Sequence, residues 1–242
     1  MRPPSASAML GAWERGQDQG PVERALTLLA LGCPESTAEA LAELGIGERD
    51  RRLLALREAM FGPRMTGLIA CAACGESLEL DFAASELCAT PKPDAAGLTV
   101  YGEDYAVELR LPDSRDLTAC ATADPAEAGS VLLRRCVVSA RCRGEPVATQ
   151  ELPPALVAAA ARRLSEADPQ ADMRFALACA GCGHRWHAPF DIVPFLWTEL
   201  AAWAGRLLQE VHTLASAYGW TERDILALAQ ARRWQYLRML GA

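Results

Sequence analysis

The sequence predicts an α+β fold in which a helical unit and a helical arm flank two matched strand–knuckle–strand segments, separated by an insertion. Three observations predict it. Apolar residues recur at helical spacing over residues 21–63 and 192–242. They alternate at period two around 68–82 and 175–190, as on half-buried strands. The second alternating segment repeats the first: a shift of 108 positions places Ala70, Cys71, Ala72, Cys74, Gly75 and Phe82 on Ala178, Cys179, Ala180, Cys182, Gly183 and Phe190. Two copies of one supersecondary unit is the simplest account.

The elements follow in order. Residues 1–20 are rich in Pro, Ser, Gly and Gln and are expected to fray. The unit 21–63 holds three helices. The first starts at Pro21, suited to a first turn, and stops at Gly32-Cys33-Pro34. A short second helix is capped by Ser36 or Thr37 and ends at Gly45; a third runs Glu48–Phe61 and breaks at Gly62-Pro63. Segments 64–84 and 172–191 are the two repeated halves, and 85–171 is an α/β insertion. Within it, Cys88–Ala96 reads as a loop and Leu98–Leu111 as a hairpin turning at Gly102–Asp104; Asp113 or Ser114 caps a helix from Arg115. Pro125–Val138 and Pro153–Ala167 read as helices. The arm 192–242 carries a long helix from Pro194 to Tyr218. A short helix capped by Thr221 follows, then a last one from Gln230 to Leu240.

The repeated segments carry the chemistry. Zinc takes four deprotonated ligands in a tetrahedron, and two residues between paired cysteines let one tight turn aim both sulfurs at an ion. One Cys-x-x-Cys supplies half a site. Cys71, Cys74, Cys179 and Cys182 supply two halves, each ending in Gly and each followed by a strand-like run. That is the organisation of a zinc ribbon, here split, with one structural zinc expected per chain. The interval between the pairs, 104 residues, far exceeds the usual roughly 15–20. Loop-closure entropy grows only logarithmically, so a folded insertion is tolerable.

Other readings are weaker. A redox dithiol is expected to open a helix, which lowers a thiol pKa, whereas both pairs here precede strands. Haem attachment needs His directly after the second Cys, and Gly183 intervenes before His184. His184 and His187 read as solvated groups or as supports to the metal ligands, and His212 as a surface or packed residue of the arm. Cys33, Cys88, Cys120, Cys136 and Cys142 lack metal spacing and read as small apolar core residues. No phosphate loop or nucleophile elbow is present, and a four-Cys site leaves no open coordination position. The chain is therefore expected not to be an enzyme. A net charge of -7 disfavours generic binding to nucleic acid or anionic membranes. The lack of a signal-like h-region and of any spanning apolar run leads to a cytoplasmic expectation. The oligomeric state is not legible.

Several segments together carry a family resemblance. They are Trp13-Glu-Arg-Gly16, Pro21-Val-Glu-Arg-Ala-Leu26, Leu54-Ala-Leu-Arg-Glu58, Phe61-Gly-Pro63, the two knuckles, Leu111-Pro-Asp-Ser-Arg-Asp-Leu117 and Phe190-Asp191 with Phe195-Leu-Trp197. Tyr218-Gly-Trp220, Asp224-Ile-Leu-Ala-Leu228 and Arg233 with Tyr236-Leu237 complete the set. In this order, over nearly the whole chain, they resemble the T4-family baseplate hub assembly chaperones. In bacteria these occur beside genes of phage tails and contractile injection systems. The resemblance implies a chaperone whose partner is a baseplate hub or spike protein, and it supplies no active site. The alternative is a zinc-ribbon regulatory module that binds nucleic acid, which would need a concentrated arginine stripe. The aromatics of the arm, Trp197, Trp203, Tyr218, Trp220, Trp234 and Tyr236, either fill the arm's own core or, exceeding what that packing needs, form a docking surface.

Overall fold

The structure, a computed structural model, describes residues 3–88 and 97–241. The loop expected over Cys88–Ala96 lies, from residue 89 onward, outside the described residues. The architecture is α+β. Helices α1 (Ala6–Gly16), α2 (Pro21–Gly32), α3 (Ala38–Ala42) and α4 (Ile46–Phe61) precede a hairpin of β1 (Arg64–Ala70) and β2 (Ser77–Ala83). The insertion then contributes β3 (Leu98–Tyr101), β4 (Tyr105–Leu109), α5 (Ser114–Ala121), α6 (Ala128–Cys136), β5 (Val137–Cys142), β6 (Glu145–Pro146) and α7 (Pro154–Ala167). A second hairpin, β7 (Arg174–Ala178) and β8 (Arg185–Pro189), leads into the long α8 (Ile192–Tyr218), followed by α9 (Glu222–Ala227) and α10 (Gln230–Met239).

Three apolar clusters organise these elements. In the largest, Leu28, Leu29, Leu53, Leu54 and Leu56 from α2 and α4 meet Ile192, Leu196 and Leu200 from the first half of α8. Met65 and Phe82 of the first hairpin and Met173, next to the second, are buried in the same cluster, so both hairpins sit on one core. The second cluster fills the insertion: the sheet β3-β4-β5-β6 packs Leu98, Val107, Leu109 and Ala140 against Leu156 and Ala160 of α7. The third is small, with Val211 and Leu214 from the end of α8 against Ile225 of α9.

Of the segment 1–20, expected to fray, the described residues from 3 onward hold a capped helix instead. Ser5 caps α1, whose Met9, Leu10, Ala12 and Gly16 are buried. Gly16 lies so close to the Trp197 indole that a Cβ there would collide with the ring. Arg24 stacks over the same indole, 4.7 Å from its centroid, and donates to the Gly16 carbonyl at 2.9 Å. Composition suggested disorder; a glycine–tryptophan contact across 181 positions anchors the segment instead.

The predicted helix Pro125–Val138 also needs correction. It ends at Cys136, and Val137 opens β5, paired to β4 through an irregularity at Glu108/Leu109. Arg143 and Gly144, with φ of 52° and 88°, turn the chain into β6. The β-branched pair Val137-Val138 and the Arg-Gly turn were the local strand signals. Among the five cysteines expected in apolar cores, Cys136 is buried and Cys33, Cys120 and Cys142 are half-buried, but Cys88 is exposed. It follows the short 3-10 turn Ala84–Leu87, and its Sγ donates back to the Ala84 carbonyl at 3.5 Å.

Buried ionic joints connect the elements, among them one at the main core and one at the insertion. Arg57 of α4 grips Glu199 of α8 with Nε and Nη2 at 2.8 and 2.6 Å, and its Nη1 donates to the carbonyls of Gly62 and Arg64 at 2.6 Å each. One guanidinium thereby ties α4, the entry to β1 and α8. The second joint is the capping box of α5. Asp113 accepts from the Arg115 and Asp116 amides, and Asp116 accepts from the Asp113 amide. Burial alone would raise the Asp116 pKa, but Arg110, the Asp113 amide and Arg135 together hold it at about 2. Ile46 at the start of α4 donates to the Pro112 carbonyl at 3.0 Å, which docks the insertion on the helical unit.

Two outcomes follow. Arg57→Met strands the half-buried Glu199 carboxylate and two carbonyls; it should cost about 3–5 kcal/mol in urea denaturation, much more than an exposed arginine variant. Asp116 has a folded pKa below its ordinary value. Its contribution is present above about pH 4 and lost as pH falls towards about 2. The difference in unfolding free energy between wild type and Asp116→Asn should shrink across that window.

Candidate metal centre

Each knuckle is built by the same local rules. In the first, the Cys71 amide donates to the Glu76 carbonyl at 2.8 Å and the Gly75 amide to the Cys71 carbonyl at 2.8 Å. In the second, Cys179 donates to His184 and Gly183 to Cys179, both at 2.9 Å. Gly75 and Gly183 adopt φ of 78° and 72°, a left-handed conformation that a side chain would strain. The flanking strands keep the relation: Ala70↔Ser77 and Thr66↔Asp81 in one hairpin become Ala178↔Arg185 and Arg174↔Pro189 in the other, each number shifted by 108. Met65 and Met173, a matched pair outside the aligned run, are both buried.

The two halves face each other. Cys71 Sγ lies 3.7 Å from Cys182 Sγ, and Cys74 Sγ 3.6 Å from Cys179 Sγ. All four sulfurs fall within 4.8 Å of one another. A tetrahedron with an ion–sulfur bond of about 2.3 Å has edges of about 3.8 Å, so the spacing fits a tetrahedral soft ion such as zinc. It is far from the roughly 2.05 Å of a disulfide, and all four cysteines are free. Cys71 and Cys179 are buried while Cys74 and Cys182 are exposed, the same pattern in both knuckles.

The electrostatics of the cluster call for a cation. Burial opposes ionisation of Cys71, but the Ala73 and Cys74 amides and the neighbouring thiols outweigh it and lower its pKa to about 7. Cys74 accepts from the Glu76 amide, which favours its thiolate; the adjoining sulfurs and burial nevertheless push it up to about 12. Cys182 receives the matching amide of His184, and its pKa is also raised, by burial and by Cys179 and Cys71. One thiolate forms readily and resists the next. A divalent ion at the centre removes that repulsion.

Four phenyl rings hold the hairpins in place. Phe82 and its repeat-mate Phe190 meet edge to face at 5.8 Å and 82°. Phe175 lies 4.7 Å from Phe82 and 5.5 Å from Phe190, and Phe195 of α8 packs on both repeat-mates at 6.4 and 5.5 Å. Edge-to-face pairs of this kind add about 0.5–1.5 kcal/mol each beyond area burial.

All four sequence-predicted ligands thus converge. His184 does not join them; it stacks on Trp186 with centroids 5.4 Å apart. His187 and His212 lie exposed, outside the cluster. Neither Cys-x-x-Cys opens a helix: β2 follows one and β8 the other. The arm's aromatics are mostly consumed internally. Trp197 and Trp203 pack on the main core, and Tyr218, Trp220 and Tyr236 pack on each other at 4.7–5.7 Å. Of the six rings only Trp234, at 53%, is more than half exposed. Among the described residues, no helix is long and apolar enough to cross a membrane.

Comparison with protein-family models, with curated proteins and with solved structures returns no match.

Elemental analysis of the purified chain should find one tightly held metal ion per molecule; none, or two, would overturn the shared site. Cys71→Ser and Cys179→Ser should each release the ion and lower the melting temperature. A loss of even about 3 kcal/mol corresponds to roughly 6–12 °C in a chain of this size.

Proposed function

We propose that the chain is a non-enzymatic assembly factor, a chaperone for the baseplate hub or spike of a phage-tail-like contractile injection system. In this reading the four-cysteine cluster is a split zinc ribbon with a single structural zinc. Zinc suits the site because it has no redox chemistry of its own and takes four thiolates in a tetrahedron. It would be held by Cys71, Cys74, Cys179 and Cys182 and would fix the two hairpins against each other.

The observation that carries the reading is that the segments shared with the hub chaperones are the joints of the fold. Gly16 of the Trp-Glu-Arg-Gly run meets Trp197 of the Phe-Leu-Trp run. Arg57 of Leu-Ala-Leu-Arg-Glu binds the carbonyl of Gly62 in Phe-Gly-Pro. Asp113 and Asp116 of Leu-Pro-Asp-Ser-Arg-Asp-Leu form the capping box that seats the insertion. Segments scattered over nearly the whole sequence therefore depend on one another in space. An arginine stripe on the last helix would draw on Arg232, Arg233 and Arg238, but Arg233 is buried, paired with Glu210 at 2.9 Å and donating to the Leu228 carbonyl.

The test is affinity purification of the tagged chain from its native host, with the bound chains identified by mass spectrometry. A baseplate hub or spike subunit should be enriched over a tagged control. Recovery of nucleic acid without such a subunit would favour the regulatory module. The purified chain should hydrolyse no nucleotide, and catalytic turnover in an insulin-reduction assay that Cys74→Ser abolishes would overturn the non-enzymatic reading.

A further inference from the structure

A shallow groove of about 390 Å³ is lined by both hairpins, and none of the four cysteines lines it. Its walls are consecutive residues of two strands, Glu79–Phe82 of β2 and Arg174–Ala176 of β7, closed at one end by Glu86 and Leu87. A sheet face presents alternate residues, so lining by consecutive residues means that the groove meets the strand edges. Among the described residues both edges are open: β2 pairs only with β1, and β7 only with β8. An open edge offers a row of backbone donors and acceptors to an added strand.

The side chains define what such a strand would carry. Leu80, Phe82, Leu87 and Phe175 form an apolar floor, continuous with the phenyl cluster. The rim bears Glu79, Asp81 and Glu86 against one cation, Arg174. Asp81 is paired with Arg64, and Arg174 is held by Asp172 at 2.9 Å. Among the described residues no ion pair neutralises Glu79 or Glu86, which leaves the rim acidic.

We infer that this groove is a strand-addition site for an extended segment of a partner protein in which cationic and apolar residues alternate. Alternation follows from the strand period: one set of side chains meets Leu80 and Phe175 while the other reaches the carboxylates. The β2 wall, four residues long, spans about 13 Å and accommodates about four residues of the partner. The inference rests on the assembly-factor reading for the partner's identity, but the groove can be tested without it.

The probe is a fluorescein-labelled eight-residue peptide of alternating lysine and valine, titrated by anisotropy against the full metal-loaded chain. It should bind at least about tenfold more tightly than the same peptide with glutamate for lysine, or with two prolines that block strand pairing. The double variant Glu79→Gln/Glu86→Gln should lose about tenfold in affinity with unchanged metal content and melting temperature. The charge-matched control Glu14→Gln/Glu103→Gln, on exposed residues elsewhere, should bind like wild type. Absence of binding at about 1 mM peptide, equal loss in both double variants, or indifference to proline overturns the site. So does concentration-dependent self-association abolished by the groove variant, which would make the occupant a second copy. A hub subunit captured equally by wild type and groove variant would overturn the groove and leave the assembly-factor reading standing. Peptide binding without any hub capture would do the reverse.

Discussion

The fold depends on holding two half-sites face to face. Each hairpin brings two sulfurs, which is half of what a tetrahedral ion needs, and 104 residues lie between the knuckles. Stretching the interval from the usual roughly 15–20 residues to this length adds only about 1.5 kcal/mol of loop-closure entropy. The harder requirement is orientation. Phe82, Phe175, Phe190 and Phe195 meet it from behind the sulfurs, where rings from both hairpins and from α8 interlock. The insertion can be large because it folds around its own core and returns the chain beside its starting point.

The helix α8 carries this arrangement outward. It begins two residues after β8, capped by Asp191, whose carboxylate accepts from the Val193 amide at 2.9 Å. Its first half is buried among α1, α2 and α4, and Glu199 is locked to Arg57. Its second half extends to the small cluster with α9 and α10. Cutting the chain at Asp191 would therefore remove part of the main core and not a detachable arm. The aromatic surplus read from the arm's sequence has the same explanation. A helix that serves two cores needs rings on both, and a stacked Tyr218–Trp220–Tyr236 group closes the far one.

What was legible in the sequence was local or repeated. Cys-x-x-Cys-Gly specifies a turn within five residues, and its recurrence at a constant offset carried the strands and their register with it. What escaped depended on distant partners. The segment 1–20 reads as disordered because its anchor, Trp197, is far away in sequence. The strand β5 follows α6 without a break, and only its pairing with β4 stops the helix at Cys136. Cys88 has the composition of a core residue but sits where the chain leaves the last turn after β2.

The near-symmetry of the two hairpins separates what folding requires from what it leaves free. The matched positions are Met65 and Met173, the cysteines and their glycines, and Phe82 and Phe190. With the exposed alanines Ala70, Ala72, Ala178 and Ala180, they supply buried residues, the sulfurs, and the turns that aim them. Some unmatched positions pack inward, as Phe175 does against Gly67 of the first hairpin and Ala188 against Leu80, and others face outward: Leu68 is 73% exposed against Ala176, Glu79 corresponds to His187 and Asp81 to Pro189. A repeat that served only to hold an ion would have no reason to make one hairpin acidic and the other not. The acidic positions Glu79 and Asp81 lie on the strand edge that borders the groove, while their counterparts lie on β8. The symmetric residues thus include the four sulfurs and the turns that aim them, and two of the departures from symmetry, Glu79 and Asp81, border the groove.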